Sequence, residues 1–278
     1  MDYELIDSGA GRRLERFGKY ILNRPDPEVM WSKNLEESEW EKADAKFSND
    51  KWETKPNFPE KWELEVNNLK INLKLTPFKH VGIFPEQLEQ WKSIENSVKR
   101  IVEETKTQPN ILNLFGYTGV ASLHALSAGA KVTHLDASRP AITWFKENQT
   151  LSGLSDKPAR IIIDDAIKFT AREIKRGVKY DGIIMDPPVY GHGPHGEKWS
   201  FAKDFPILLD NVSKILTEKP LFVIVNAYAI STSSTSLANM LRDKLKDYGG
   251  TVTNGELSLK ETSGGRELST GIYAVWQP

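Results

Sequence analysis

Four carboxylates near and beyond the middle of the chain stand at the ends of strand-like stretches. Asp136 closes Lys131–Leu135, Asp164 and Asp165 close Arg160–Ile163, and Asp186 closes Tyr180–Met185. Runs of this kind read as buried strands, and in open parallel sheets ligands bind outside the carboxyl ends of the strands. Acids there can accept from ribose hydroxyls or from the amines of a base. The most specific is Asp186, which opens Asp186-Pro187-Pro188-Val189-Tyr190. Two prolines remove two backbone donors and stiffen the turn. The carbonyls are then left to accept from a substrate amine beside the Asp186 carboxylate, while Tyr190 supplies a face on which a base can stack. An enzyme acting on a base splayed out of its stack needs those parts. The plainer alternative is a rigid loop that happens to carry an aspartate.

A second chemistry-bearing stretch lies upstream. Ile111–Phe115 reads as a buried strand ending at Gly116-Tyr117-Thr118-Gly119, and Val120, Leu123, Ala125 and Leu126 predict a short helix stopped by Gly129. The next strand ends at Asp136, about twenty residues beyond the turn, which is the first half of a doubly wound nucleotide site. A dinucleotide site would carry Gly-x-Gly-x-x-Gly, and a triphosphate site Gly-x-x-x-x-Gly-Lys-Ser/Thr. The chain has neither. Fewer glycines followed by an acid suit an adenosyl ligand without phosphates, such as S-adenosylmethionine. Asp136 is then the ribose acid, with Ala137 and Ser138 beside it. Asp165 can accept from the adenine amine while Ala166 donates its N–H, and Asp164 reads as an ordinary helix cap.

The elements that position these residues alternate. Helices are expected at Ser138–Leu151, capped by Ser138, at Ala166–Arg176, at Asp204–Leu216 and at Leu237–Lys246, with a fifth strand at Leu221–Val225. Continuous apolar strands alternating with helices give an α/β, Rossmann-like parallel sheet covered on both faces. Thr251–Leu259 and Thr270–Trp276 close the chain as an antiparallel terminal hairpin. Trp144 and Phe145 read as core. The loop Gly191–Gly196 carries His192 and His195, too few for a metal site, and Lys198 with Trp199 stands where a lid over the acceptor would lie.

Residues 1–80 have another texture and hold four of the eight tryptophans, at 31, 40, 52 and 62. Strands are expected at Tyr3–Ile6 and Arg13–Leu22 around Gly9-Ala10-Gly11, helical periodicity at Leu35–Ala45, and a hairpin from Trp62–Val66 to Leu69–Leu75 around Asn67-Asn68. This is a small β-rich N-terminal region, followed by a main domain over 81–278. Between them, Phe78, His80 and Phe84 lie on a bridge that can fold over a ligand mouth or serve as a linker, and a helix of about 18 residues starts near Pro85.

Composition narrows the function classes. The chain has no cysteine, so disulfides, thiolate metal sites and a cysteine nucleophile are excluded. A formal charge of −1 gives no global attraction to nucleic acid, so any RNA contact is local. No apolar run reaches the roughly 20 residues of a membrane helix and no signal-peptide pattern opens the chain, so no membrane partner and a cytoplasmic location are expected. Monomer and dimer both remain open.

Asn113-Leu-Phe-Gly-Tyr-Thr-Gly119, Asp136-Ala-Ser, Asp164-Asp-Ala and Asp186-Pro-Pro-Val-Tyr190 together resemble the motifs of class I S-adenosylmethionine-dependent methyltransferases. They are most similar to the branch of bacterial large-subunit ribosomal RNA enzymes that make 5-methylcytosine and 7-methylguanine. Phe78–Gln87 resembles the segment that precedes the fold there. The likeness spans about residues 76–278. It implies that Phe78, His80, Phe84, Asn113, Phe115, Gly116, Tyr117, Thr118, Asp136, Ala137, Ser138, Asp165, Ala166 and Asp186 surround S-adenosylmethionine. It also implies that Asp186, Pro187, Pro188 and Tyr190 face a methyl acceptor, with ribosomal RNA the expected partner. The 5-methylcytosine members attack with a cysteine at the end of the fifth strand, where this chain reads Val225-Asn-Ala-Tyr-Ala-Ile230. Transfer through a cysteine adduct is therefore excluded, and nitrogen or oxygen methylation remains. A base nitrogen of RNA is the expectation, with the same chemistry on a protein or small molecule, or cofactor binding without turnover, as the alternatives. The N-terminal region does not resemble the RNA-binding modules of that branch.

Overall fold

Period-two runs punctuated by turn residues dictate the N-terminal architecture in the computed structural model, which describes all residues 1–278. β1 (Tyr3–Gly9), β2 (Arg12–Phe17) and β3 (Tyr20–Pro25) form an antiparallel meander. After a one-turn helix α1 (Glu37–Trp40), β4 (Ala45–Ser48) joins β3 in parallel and β5 (Lys51–Thr54) completes a five-stranded sheet. β6 (Trp62–Val66) and β7 (Leu69–Leu73) make a separate hairpin.

Two expectations change here, and one element is new. Arg13–Leu22 is not one strand: Gly18 turns left-handed at φ +63° and splits it into β2 and β3. The helix expected over Leu35–Ala45 shrinks to α1, because its apolar positions anchor on one residue, the buried Trp40, whose indole donates to Asp7 Oδ2 at 3.0 Å. The β4–β5 hairpin is additional. Asn49 and Asp50 both take positive φ, the backbone of a two-residue turn whose twist suits flanking strands.

This first unit comprises Met1–Gln87 together with Ser258–Thr270. At its centre Glu15 is fully buried and accepts from Arg24 Nε and Nη2, both at 2.7 Å, and from the Tyr3 hydroxyl at 2.9 Å. Burial alone raises a carboxyl pKa, but the Arg13 and Arg24 guanidinium groups outweigh it and hold Glu15 down at about 2.

The second unit comprises Leu88–Leu257 and Gly271–Pro278. The expected long helix is α2 (Leu88–Thr105), entered through a 3-10 turn at Pro85–Gln87. Then β8 (Asn110–Leu114), α3 (Val120–Ser127), β9 (Lys131–Asp136), α4 (Arg139–Leu151), β10 (Ala159–Ile163), α5 (Ala166–Arg176) and β11 (Gly182–Met185) follow in strict alternation. A small hairpin, β12 (Tyr190–His192) with β13 (Lys198–Ser200), interrupts it before α6 (Phe201–Lys214), β14 (Phe222–Ala227) and α7 (Ser234–Leu245). The chain ends in β15 (Thr251–Lys260) and β16 (Glu267–Gln277).

The seven-stranded sheet runs β10-β9-β8-β11-β14-β16-β15, with β10 through β14 parallel and β16 antiparallel to β14. The order reverses beside β8, so connections leave its carboxyl end in opposite directions and open a crevice there. Strands β11 and β14 are buried throughout, as their unbroken apolar runs require. Helix α6 begins three residues before the expected Asp204, because Asp204 Oδ2 accepts the Ser200 amide at 2.8 Å and holds the turn that launches it. No helix of the chain is long and apolar enough to cross a membrane.

Candidate active site

The turn leaving β8 is strained in a way only its surroundings sustain. Phe115 and Tyr117 take φ of +59° and +48°, and Gly119 takes +85°. Non-glycine residues rarely adopt this region. Three bonds fix it: the Gly116 amide donates to Leu135 O at 2.9 Å, the Gly119 amide to Gly116 O at 2.9 Å, and the Tyr117 amide to Asp136 Oδ2 at 2.9 Å. The other Asp136 oxygen accepts the Ser138 amide at 2.8 Å. Burial pushes the Asp136 pKa up, opposed by those amides. The carboxylate thus sits in a poorly hydrated corner, held by backbone amides, an arrangement that suits the ribose hydroxyls.

Beneath this turn lie two residues the sequence did not single out together. The His134 and Phe145 rings stack at 3.9 Å between centroids. A Cβ on Gly116 would come within 2.3 Å of the His134 ring. His134 Nδ1 meets Ser122 Oγ at 2.9 Å, and Ser122 Oγ accepts from Asn113 Nδ2 at 2.9 Å. The Asn113 side chain is buried, and its bond to Ser122 on α3 supports the turn. Thr118 is buried too, and its carbonyl accepts from Asn148 Nδ2 at 3.0 Å.

At β10 the helix cap falls on the second acid rather than the first. Asp165 is the N-cap of α5, its Oδ1 accepting from the Lys168 amide at 2.8 Å. Asp164, expected to be the cap, instead pairs with Arg172 and accepts the Asp165 amide at 2.8 Å. The cause is register: Asp165 is the last extended residue before the helix. Ser138 caps α4, accepting from the Ala141 amide at 3.3 Å.

Asp186 follows β11, and its amide reaches back to Leu114 O at 3.4 Å. The carbonyls after it are not all open, contrary to expectation. Trp199 Nε1 donates to Pro188 O at 2.6 Å, and the Phe201 amide donates to Val189 O at 2.9 Å. Tyr190 stands 76% exposed beyond this turn. Trp199 is no lid residue: it is buried, and its ring meets Phe115 at 5.0 Å. The turn it closes is tied by Glu197, which accepts from Lys168 Nζ at 2.6 Å and from the His195 amide at 2.9 Å. His192 and His195 are exposed.

The structure therefore gathers Phe115–Thr118, Asp136–Ser138, Asp165–Ala166 and Asp186–Tyr190 along the carboxyl ends of β8, β9, β10 and β11. Phe78, His80 and Phe84 belong to the first unit. There His80 packs on Phe84 at 5.4 Å, and burial and the nearby Arg24 and Lys79 push its pKa down to about 4. Phe78 is 71% exposed.

Residues 91–253 match the family model described as conserved hypothetical protein 95, more than half of the chain. A crystal structure of a SAM-dependent methyltransferase from Agrobacterium tumefaciens is 41% identical and superposes with a TM-score of 0.96, covering 100% of this chain and 91% of that one. The chain belongs to the class I S-adenosylmethionine-dependent methyltransferases. A Streptococcus mutans chain of 16% identity, TM-score 0.74, covering 99% and 74% of the two chains, shares the methyltransferase's fold. The ribosomal RNA large subunit methyltransferase K/L of Shewanella frigidimarina is 32% identical over 155 residues, 55% of this chain but 20% of that protein. The methyltransferase thus spans about one fifth of the length of the curated relatives it matches. S-adenosylmethionine is the family's cofactor, and the Asp136 corner with its fixed turn fits the adenosyl part of it.

Proposed function

We propose that this methyltransferase methylates a base nitrogen of RNA, ribosomal RNA being the acceptor, without a covalent enzyme adduct. S-adenosylmethionine supplies a sulfonium methyl open to direct attack by a nitrogen lone pair. The protein's part is then to orient and desolvate. Asp136 accepts from the ribose, the strained turn Phe115–Thr118 lines the methionine end, and Asp165 with the Ala166 amide borders adenine. The Asp186 carboxylate and the Pro187 carbonyl accept from the acceptor amine, aiming its lone pair, and Tyr190 stacks on the base. The observation that carries this reading is the Asp186–Tyr190 turn. It is stiffened by two prolines and ends in an exposed tyrosine on the same rim as the cofactor corner.

Two features support nitrogen over carbon. The chain contains no thiol. At the end of β14 stands Asn226, whose buried amide oxygen accepts from Gln90 at 2.7 Å and offers no nucleophile. Likeness to the large-subunit enzymes supports ribosomal RNA.

The test is transfer of labelled methyl to ribosomal RNA from cells lacking the gene, followed by digestion to nucleosides. Label on a ring or exocyclic nitrogen is expected. Label at cytosine C5 sinks the mechanism, and label confined to protein or small molecules sinks the acceptor.

A further inference from the structure

We propose that Trp199 is a positioning residue that couples the cofactor turn to the acceptor turn, so that filling one orders the other. The inference rests on reading Asp186–Tyr190 as the acceptor face. An Asp-Pro-Pro segment cannot anchor itself by donation, because neither proline has an N–H. Its own ladder contact, Asp186 N to Leu114 O, is long at 3.4 Å. Donation into its carbonyls helps to fix the turn, and the shorter of the two bonds, 2.6 Å, comes from Trp199 Nε1 to Pro188 O.

The same ring reaches the donor side. Its centroid lies 5.0 Å from that of Phe115, the residue that begins the strained turn with φ +59°. One rigid indole therefore touches both motifs, with its single polar atom on the acceptor turn and its ring on the cofactor turn. A buried tryptophan kept only for bulk could place its N–H on any nearby acceptor. The hairpin is shaped to deliver this ring. Trp199 lies opposite Gly191 in the β12–β13 pairing, and a Cβ on Gly191 would stand 3.2 Å from Pro188 Cγ, so the glycine lets the hairpin close onto the proline. Lys168 and Glu197 tie the far end to α5. A shift of Phe115 as the cofactor turn fills is thereby passed to Pro188, and with it to the Pro187 carbonyl and Asp186.

The experiment compares the full-length wild type with Trp199→Phe, which keeps an aromatic ring and removes the N–H. Hydrogen exchange of the amides in 189–200 is followed with and without S-adenosylhomocysteine. In the wild type the ligand is expected to slow exchange there by about tenfold, and in Trp199→Phe to slow it only around 115–119. In methyl transfer, kcat is expected to fall by about tenfold to hundredfold, while cofactor Kd and RNA KM stay within about threefold. Exchange in the wild-type hairpin that ignores the ligand overturns the proposal, as does a Trp199→Phe enzyme with unchanged kcat. A proportionate loss of cofactor affinity and melting temperature with unchanged kcat overturns it too, because that is what a merely structural tryptophan gives. Should the wild type leave RNA unmethylated, the proposed function fails. The exchange measurement needs no acceptor and still decides the coupling.

Discussion

The α-carbon of Gly119 rests on the ring of Phe145: a Cβ built there would lie 2.0 Å from Cδ2. Gly116 stands in the same relation to His134, and the two rings stack on each other. The two glycines of the cofactor turn are therefore fixed by the floor beneath them as much as by the ligand above. Gly119→Ala adds a methyl in a left-handed backbone, costing about 1–2 kcal/mol, and overpacks a filled site for about 1–3 kcal/mol more. Gly153 is the control, since it also has positive φ, +68°, but nothing lies within 4 Å of its would-be Cβ. Urea unfolding should show Gly119→Ala as the more destabilised variant, with weakened S-adenosylmethionine binding. Equal losses in the two would refute the packing argument.

Asp136 serves the same turn from the side. Asp136→Ala removes the acceptor of the Tyr117 and Ser138 amides and the proposed partner of the ribose. Cofactor binding should weaken by about 1–3 kcal/mol, the worth of a hydrogen bond to a charged group. Calorimetry giving unchanged affinity would remove Asp136 from the cofactor site.

His134 makes the stability of the second unit depend on pH. Burial pushes its pKa down to about 3, against a weaker opposing pull from the Tyr117 backbone. The folded chain keeps the ring neutral, whereas the unfolded chain takes up a proton below about 6.5. The contribution is full above that pH and is lost as the pH falls toward 3, by up to about 1.4 kcal/mol per unit. His124, also lowered by burial in spite of Glu95, acts in the same direction. Denaturant midpoints at pH 7.5 and 5.0 should therefore separate in the wild type and separate less in His134→Gln. Equal separations would mean that His134 is charged in the folded state.

How far the sequence speaks differs between the two units. In the second, the central strands are largely apolar and the helices fall between glycine or serine signals, so Ile111–Phe115, Gly119 and Ser138 announce its order. The acids at strand ends were legible for the same reason. What was not legible is contact between distant segments. Nothing in the spacing says that Asn113 turns inward to Ser122, that Asp165 rather than Asp164 caps α5, or that Trp199 returns across the hairpin to Pro188. In the first unit the strands are short and flanked by charge. Gly18 splits one expected strand, and Asn49-Asp50 makes a hairpin between strands of only four residues each. The buried set of Arg13, Glu15, Arg24 and Asp26 was not legible either, because alternation alone cannot tell a paired charge inside from a free one outside.

Asp186 separates binding from chemistry. Its carboxylate follows a buried strand, while the ribose and adenine contacts are assigned to Asp136 and Asp165 on other strands. Asp186→Ala leaves both prolines and the Trp199 bond to Pro188 in place, so the turn keeps its course and the cofactor turn its floor. Methyl transfer should then fall by about 10²–10³, the scale of losing one preorganised group that aligns the reacting atoms. S-adenosylmethionine affinity should stay within about threefold if the lost group faces the acceptor as proposed. Asp186→Asn keeps one acceptor oxygen and should recover part of the rate. The decisive comparison is kcat against cofactor Kd in the two variants. Full turnover in Asp186→Ala would take the carboxylate out of the reaction, whereas a parallel loss of affinity would move it to the cofactor side of the crevice.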